Sequence, residues 1–251
     1  MNNHVFLITG GTTGMGLATA RLLSGEGARV IVTGRRPENL ASARQALPSS
    51  AVVLASDSGS LEASRALGAE VRRHAERLDG VFLNAGVATF APFEASTPEH
   101  YEQQFNINVR GPYFQLQSLL PLLVKGSSVV LTASVVAGMA FPNTSIYSAT
   151  KAAVVSLGKT LAVELAPRGV RVNVLSPGPV ETPIFQKGGL SAEATRAFLE
   201  ERAANLLVKR VGTPEDIAQL ARFLLSPESA NVTGAEFISD GGARFAPSAA
   251  R

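Results

Sequence analysis

The stretch Val5-Phe6-Leu7-Ile8-Thr9-Gly10-Gly11-Thr12-Thr13-Gly14-Met15-Gly16 decides the fold. Its four consecutive apolar residues read as a short strand covered on both faces, since a half-exposed strand would alternate. Glycines follow at once, and a helix pattern, Gly16–Gly25, follows the glycines. In that position glycines let the backbone turn tightly and approach a pyrophosphate, which then sits on the helix N-terminus. The spacing is Thr-Gly-x-x-x-Gly-x-Gly rather than GxGxxG. Glycines alone also suit an ordinary strand–helix connection. Their place after strand one and before helix one makes the dinucleotide reading the stronger one.

Outward from this turn the same alternation repeats. Strands are expected at Val5–Thr9, Arg29–Thr33, Ala51–Ala55, Gly80–Leu83, Ser128–Thr132, Val170–Leu175 and near Glu236–Ile238. Helices are expected at Pro37–Ala46, Leu61–Arg77, Pro98–Val124, Ile146–Ala166, Ala192–Leu206 and Pro214–Leu225. Thr97-Pro98-Glu99 and Thr213-Pro214-Glu215 are helix starts. The pattern predicts an α/β fold, a doubly wound parallel sheet of about seven strands with helices on both faces. No linker or repeat divides residues 1–251, so one domain is expected, with a substrate-loop segment at about 179–212 broken by Gly188-Gly189.

Composition removes several function classes. Hydrophobic residues make up 45% and charged ones 17%, which argues for a packed core and against disorder. With no Cys there is no disulfide, thiolate metal site or cysteine nucleophile, and His4, His74 and His100 lack ligand spacing. The net charge of +3 is spread along the chain, without the basic stripe and stacking aromatics of a nucleic-acid site. No apolar run approaches the roughly 18 residues that span a bilayer. The expectation is a soluble, cytoplasmic protein that binds neither nucleic acid nor membrane.

The tip of the second strand bears on the cofactor. An NAD site carries an Asp or Glu there to bond the adenosine ribose. This chain has Thr33-Gly34-Arg35-Arg36 instead. Without a carboxylate to repel a 2′-phosphate, with Gly34 making room and guanidinium groups to grip it, NADP (NADPH) is expected over NAD. Arg35 and Arg36 also suit a plain solvated helix start.

A second constellation is Ser134, Tyr147 and Lys151. Tyr147 and Lys151 are four apart and share a helix face. By composition such a pair arises about 0.06 times by chance, and a Ser at a strand end thirteen residues upstream lowers that further. Reducing a ketone needs a proton donor for the developing alkoxide, and the reverse reaction needs a base. A Tyr with pKa near ~10 is brought towards neutrality by an ammonium about 4 Å away, which contributes roughly 4 kcal/mol, or about three pKa units. Ser134 is placed to hold the substrate oxygen.

Taken together, Thr9–Gly16, Asn84-Ala85-Gly86, Asn108, Ser134 with Tyr147-x-x-x-Lys151, and Pro177-Gly178 followed by Thr182 resemble the short-chain dehydrogenase/reductase family. The resemblance runs from Leu7 to Gly242 in the expected order. It implies an oxidoreductase in which Asn108 completes a catalytic tetrad, its backbone holding a water that links Lys151 to solvent. It also implies cofactor contacts from Gly10, Thr12, Thr13, Gly14, Met15, Gly16, Gly34, Arg35, Arg36, Asn84, Ala85, Gly86, Tyr147, Lys151, Pro177, Gly178, Val180 and Thr182. Asp57 is implied to bond the adenine, although a turn-forming Asp suits its place equally. Thr13 departs from one NADP-type pattern that has a basic residue there, which leaves phosphate recognition to Arg35 and Arg36. A homotetramer built on the long helices is also implied.

The family's pocket walls fall here on Val135, Val136, Met139, Phe141, Phe90, Ile184 and Phe185. All are apolar, which favours an uncharged, medium-sized ketone or secondary alcohol. Two rivals stand beside this reading: a β-ketoacyl carrier-protein reductase, with Arg168 available for an acidic carrier, and a non-catalytic NADPH-binding sensor. An enoyl reductase is disfavoured, because such relatives space Tyr and Lys more widely.

Overall fold

The computed structural model describes residues 1–182 and 191–245. Strands β1 Val5–Thr9, β2 Arg29–Gly34, β3 Val52–Ala55, β4 Leu78–Leu83, β5 Leu123–Thr132, β6 Arg171–Pro177 and β7 Glu236–Ser239 form one sheet in the order β3-β2-β1-β4-β5-β6-β7. Every neighbouring pair is parallel. Helices α1 Gly14–Gly25, α2 Pro37–Ala46, α3 Leu61–Arg72, α4 Pro98–Phe105, α5 Gly111–Leu119, α6 Ser145–Leu165, α7 Ala192–Asn205 and α8 Pro214–Leu225 make the crossovers.

The apolar runs of the strands are explained by two cores, one on each face of the sheet. Along β1, Leu7 faces a core with Leu67 of α3, Leu116 of α5 and Val154 of α6. Phe6 and Ile8 face the other, with Leu23 of α1 and Ile217, Ala221 and Leu224 of α8. Successive strand side chains point to opposite faces, so covering both leaves no polar position. The expected doubly wound sheet is therefore the observed one. Chain order reverses between β1 and β4, whose ends lie level, with Thr9 opposite Leu83. A doubly wound sheet opens a crevice at that switch point, beyond the strand C-termini. The glycine turn and Asn84-Ala85-Gly86 both stand there.

The largest departure from the expected elements is Pro98–Val124, read as one helix. It is α4, a π turn at Asn106–Arg110 and α5, and the chain then passes through a 3-10 turn into β5 at Leu123. The prolines explain it. Pro112 has no N–H, so the carbonyl of Asn108 loses its donor four residues on, and Pro121 cannot continue α5. Helix α3 also stops short, at Arg72 rather than Arg77, because residues 73–77 must turn the chain back into β4. Among the described residues no helix is long and apolar enough to cross a membrane.

Candidate active site

One groove runs across the switch point. Its lining includes Gly10, Thr12, Thr13, Gly14, Met15, Gly34, Arg35, Arg36, Asp57, Asn84, Ala85, Gly86 and Thr182. The glycine turn is shaped by contacts that exclude side chains. Gly10 has φ +63, and a Cβ on it would stand 2.9 Å from Ala85 Cα; one on Gly16 would stand 2.5 Å from Gly10 O. Thr9 Oγ1 accepts from the N–H groups of Asn84 (3.1 Å) and Ala85 (3.2 Å), and Asn84 Nδ2 donates to Thr9 O and Gly10 O. The two loops are thus stitched together. Asn84 Oδ1 is buried without a partner, and the first turn of α1 carries no acid. A cradle that excludes Cβ atoms, a helix end with no acid in its first turn and an orphan acceptor fit a dinucleotide.

The far end of the groove corrects one expectation. Gly34 does not leave space for a phosphate: a Cβ there would meet Thr12 Oγ1 at 2.6 Å, so this glycine accommodates Thr12. Arg35 and Arg36 are exposed and line the groove. Arg35 Nη1 lies 3.6 Å from Asp57 Oδ2, while Asp57 Oδ1 accepts from Gly59 N–H at 2.9 Å. Asp57 therefore is a turn former that also lines the groove. Asn39, Ser58, Thr89, Gln103 and Ile107 line it too and were not anticipated. They are ordinary residues on α2, α4 and connecting segments, and only the fold brings them in.

At the inner end stand the acid–base candidates. Ser134 caps the turn Val135–Ala137, accepting from Val136 N–H at 3.4 Å and donating to Pro177 O at 3.5 Å, both long bonds. It also stands close enough to Tyr147 to oppose the rise of the phenol's pKa. Tyr147 is buried against Phe90, edge-on at 5.9 Å between ring centroids. Lys151 is buried one helical turn on, its Nζ donating to Thr132 O at 2.9 Å and standing 5.7 Å from the Tyr147 ring centroid. A Cβ at Gly86 would lie 3.5 Å from that Nζ and 3.2 Å from Asn108 Oδ1, so bare backbone separates groove and ammonium. Asn108 Oδ1 accepts from Val87 N–H, and its Nδ2 donates to Val87 O and Thr150 Oγ1. Its side chain is fully used in joining the β4 loop to α6.

The electrostatics run against the expected lowering of the Tyr147 pKa. Burial pushes Tyr147 up to about 12, with the Ser134 hydroxyl opposing, and burial pushes Lys151 down to about 8. Loss of hydration outweighs an ammonium whose hydrogen bond goes to a carbonyl. Tyr147 is thus protonated throughout the neutral range.

The segment beyond β6 divides its expected roles. Gly178 packs so tightly that a Cβ would reach Asp240 Cα at 2.7 Å. The Val180 side chain is core rather than pocket. Val180 bridges Gly212 through Gly212 N–H to Pro179 O and Glu181 N–H to Gly212 O. Its own N–H and C=O are left on the opposite side, as parallel pairing dictates. Of the pocket walls, Val135 is buried, and Val136, Met139 and Phe141 are half-buried. Phe90 is half-exposed, at 42%. Ile184 and Phe185 lie outside the described residues. Arg202 of α7, unanticipated, stands 5.5 Å from the Phe141 centroid.

Residues 10–244 match a family model described as enoyl-(acyl carrier protein) reductase. The chain is 32% identical over 253 residues to dehydrogenase/reductase SDR family member 4 of Homo sapiens, across 96% of this chain and 87% of that protein. It belongs to the short-chain dehydrogenase/reductase family. Oxidoreductase asL5 of Sarocladium schorii is 36% identical over 239 residues, 94% of each chain. A short chain dehydrogenase from Burkholderia cenocepacia J2315, solved in complex with NADP, superposes with a TM-score of 0.87 at 27% identity, over 97% of this chain and 98% of that one. These are oxidoreductases that use nicotinamide cofactors and act on small molecules.

Proposed function

We propose that this chain is an NADPH-dependent reductase of ketones, with Tyr147 as the proton donor. The observation that carries the reading is the arrangement of Ser134 beside Tyr147, with buried Lys151 one turn on, directly behind Gly86 of a groove that fits a dinucleotide. The bound nicotinamide supplies hydride to the carbonyl carbon. Ser134, whose other hydrogen bonds are long, holds the carbonyl oxygen, and Tyr147 gives it a proton. A phenol whose pKa burial has raised keeps its proton until the alkoxide develops. Lys151 stands next in the relay. Asn108 contributes through its main chain, because Pro112 withholds the helical donor from its carbonyl.

Arg35 and Arg36, exposed at the groove end without a ribose-binding carboxylate on β2, support NADPH over NADH. Arg35, now 3.6 Å from Asp57, and Arg36 would be the residues to hold the 2′-phosphate of NADPH. The apolar walls at Val136, Met139 and Phe141 support an uncharged reacting end. A carrier-protein reductase is less well supported, because Arg168 donates to Leu120 O at 3.4 Å at the end of α5 rather than joining a basic patch. The i,i+4 spacing of Tyr147 and Lys151 likewise favours a ketone over an enoyl substrate. For assembly, the apolar surface of Phe105, Val109, Tyr113, Phe114, Leu157 and Leu161 between α4–α5 and α6 supports self-association.

The test is consumption of NADPH, and separately NADH, with a panel of ketones, aldehydes and a β-ketoacyl thioester. Turnover of free ketones with NADPH is expected. Thioester turnover alone would make the protein a carrier-protein reductase, and tight NADPH binding with no turnover would make it a sensor.

A further inference from the structure

The substrate mouth has a second, polar side that the apolar walls do not explain. From Tyr147 the rim runs through Phe90 to Ala91, whose N–H donates to Asn143 O at 3.1 Å in the loop before α6. That loop carries Phe141, and the Arg202 guanidinium of α7 covers it at 5.5 Å while standing 4.9 Å from Phe198. Arg202 is half-buried, and among the described residues its guanidinium makes no hydrogen bond or ion pair. Arg210 and Arg244, further along the chain, are each paired with an aspartate. A guanidinium held against two rings, with its donors free of protein partners, keeps its fork available to a planar anion.

A second polar atom points the same way. Thr195 is 7% exposed and its buried Oγ1 has no partner. Thr195, Leu199 and Arg202 fall at i, i+4 and i+7, one face of α7, on which Leu199 is also buried. Helical side chains lean towards the N-terminus, which carries the guanidinium back over Phe198 towards the Thr195 turn.

We propose that Arg202, with Thr195, binds a carboxylate that the substrate carries at the end remote from its carbonyl. The substrate class is then an oxo acid: the carbonyl meets Ser134 and Tyr147, and the carboxylate meets α7. One fork of N–H donors and one hydroxyl match a singly charged, planar, two-oxygen group. A phosphate's greater charge calls for a second cation, and among the described residues Arg202 is the one cation over Phe141. The proposal rests on Tyr147 being the site of reduction, and the test separates the two.

Aliphatic and aromatic oxo acids of increasing length, each with its methyl ester, serve as probes. Calorimetric binding with and without NADP, and NADPH-dependent reduction, are measured for wild type, Arg202→Met, Arg202→Lys and Thr195→Val. At the matching length the acid is favoured over its ester by about tenfold in both Kd and kcat/KM. Arg202→Met abolishes that preference while ester turnover persists, which also shows that the variant folds. Arg202→Lys keeps part of it, and Thr195→Val loses about threefold. An acid-to-ester ratio near one at every length, or one unchanged in Arg202→Met, overturns the proposal. Arg202-dependent binding without reduction keeps the carboxylate site and removes the reductase reading. Tyr147-dependent reduction of neutral ketones with a flat ratio does the reverse.

Discussion

The two ends of the groove are built from different materials. At the glycine turn the site is backbone: Gly10 and Gly16 matter because a Cβ has nowhere to go, and Thr9 and Asn84 matter because they tie one main-chain loop to another. At the inner end the site is side chain: a buried phenol, a buried ammonium bonded to Thr132 O and a half-buried hydroxyl bonded to Pro177 O. A backbone site fails by losing its shape. A side-chain site fails by losing an atom, with the shape intact.

The sharpest way to break that contrast is Tyr147→Phe, which removes one oxygen. It should lower kcat about 10³-fold and leave the NADPH Kd unchanged, read by steady-state kinetics beside fluorescence titration. Surviving turnover would place the proton donor elsewhere. At the other end, Gly16→Val should fail in the opposite manner. Its branches are forced onto Gly10 O, so stability falls by about 3 kcal/mol and cofactor binding falls with it, in denaturant melts and titrations.

Between these lies the exposed margin of the groove. Arg35→Ala with Arg36→Ala should weaken NADPH about 30-fold and NADH hardly at all, with the melting temperature unchanged. Equal losses would mean that this margin does not read the 2′-phosphate. The smallest effect concerns Lys151, which burial holds at about 8. Over the window from there to the unfolded value the unfolded chain binds more protons, so the wild type gains stability as pH rises. Relative to Lys151→Met, that gain should be on the order of 1 kcal/mol between pH 7.5 and 9 in paired melts. A difference independent of pH would mean that the ammonium is not desolvated.

The backbone end was the easier to read from sequence. Apolar runs at Val5–Thr9 and Gly80–Leu83 announce buried parallel strands, and glycines between a strand and a helix announce the turn. Ser134, Tyr147 and Lys151 were also legible, because rare residue types at helical spacing stand out. What the sequence hides is whatever depends on a neighbour remote in the chain. Gly34 looks like open space until Thr12 is seen filling it. The phenol pKa looks lowered until burial is weighed against a lysine bonded to Thr132 O. Val180 looks like a cofactor contact until its side chain is found in the core. The break in Pro98–Val124 is a different case: Pro112 and Pro121 were present, and apolar periodicity concealed them. Arg202 gives no signal, since an arginine on a polar helix looks like solvent until Phe141 appears beneath it.

The small bridge between Val180 and Gly212 closes the base of the chain's longest excursion from the sheet. The described residues before Gly212 are also tied down, by Val208 N–H to Gly241 O and by Arg210 to Asp216 of α8, and lengthening a segment closed at its base costs little entropy. Insertions between Val180 and Gly212 can therefore be absorbed at the sheet's edge while the ends of β1, β4 and β5 stay where they are.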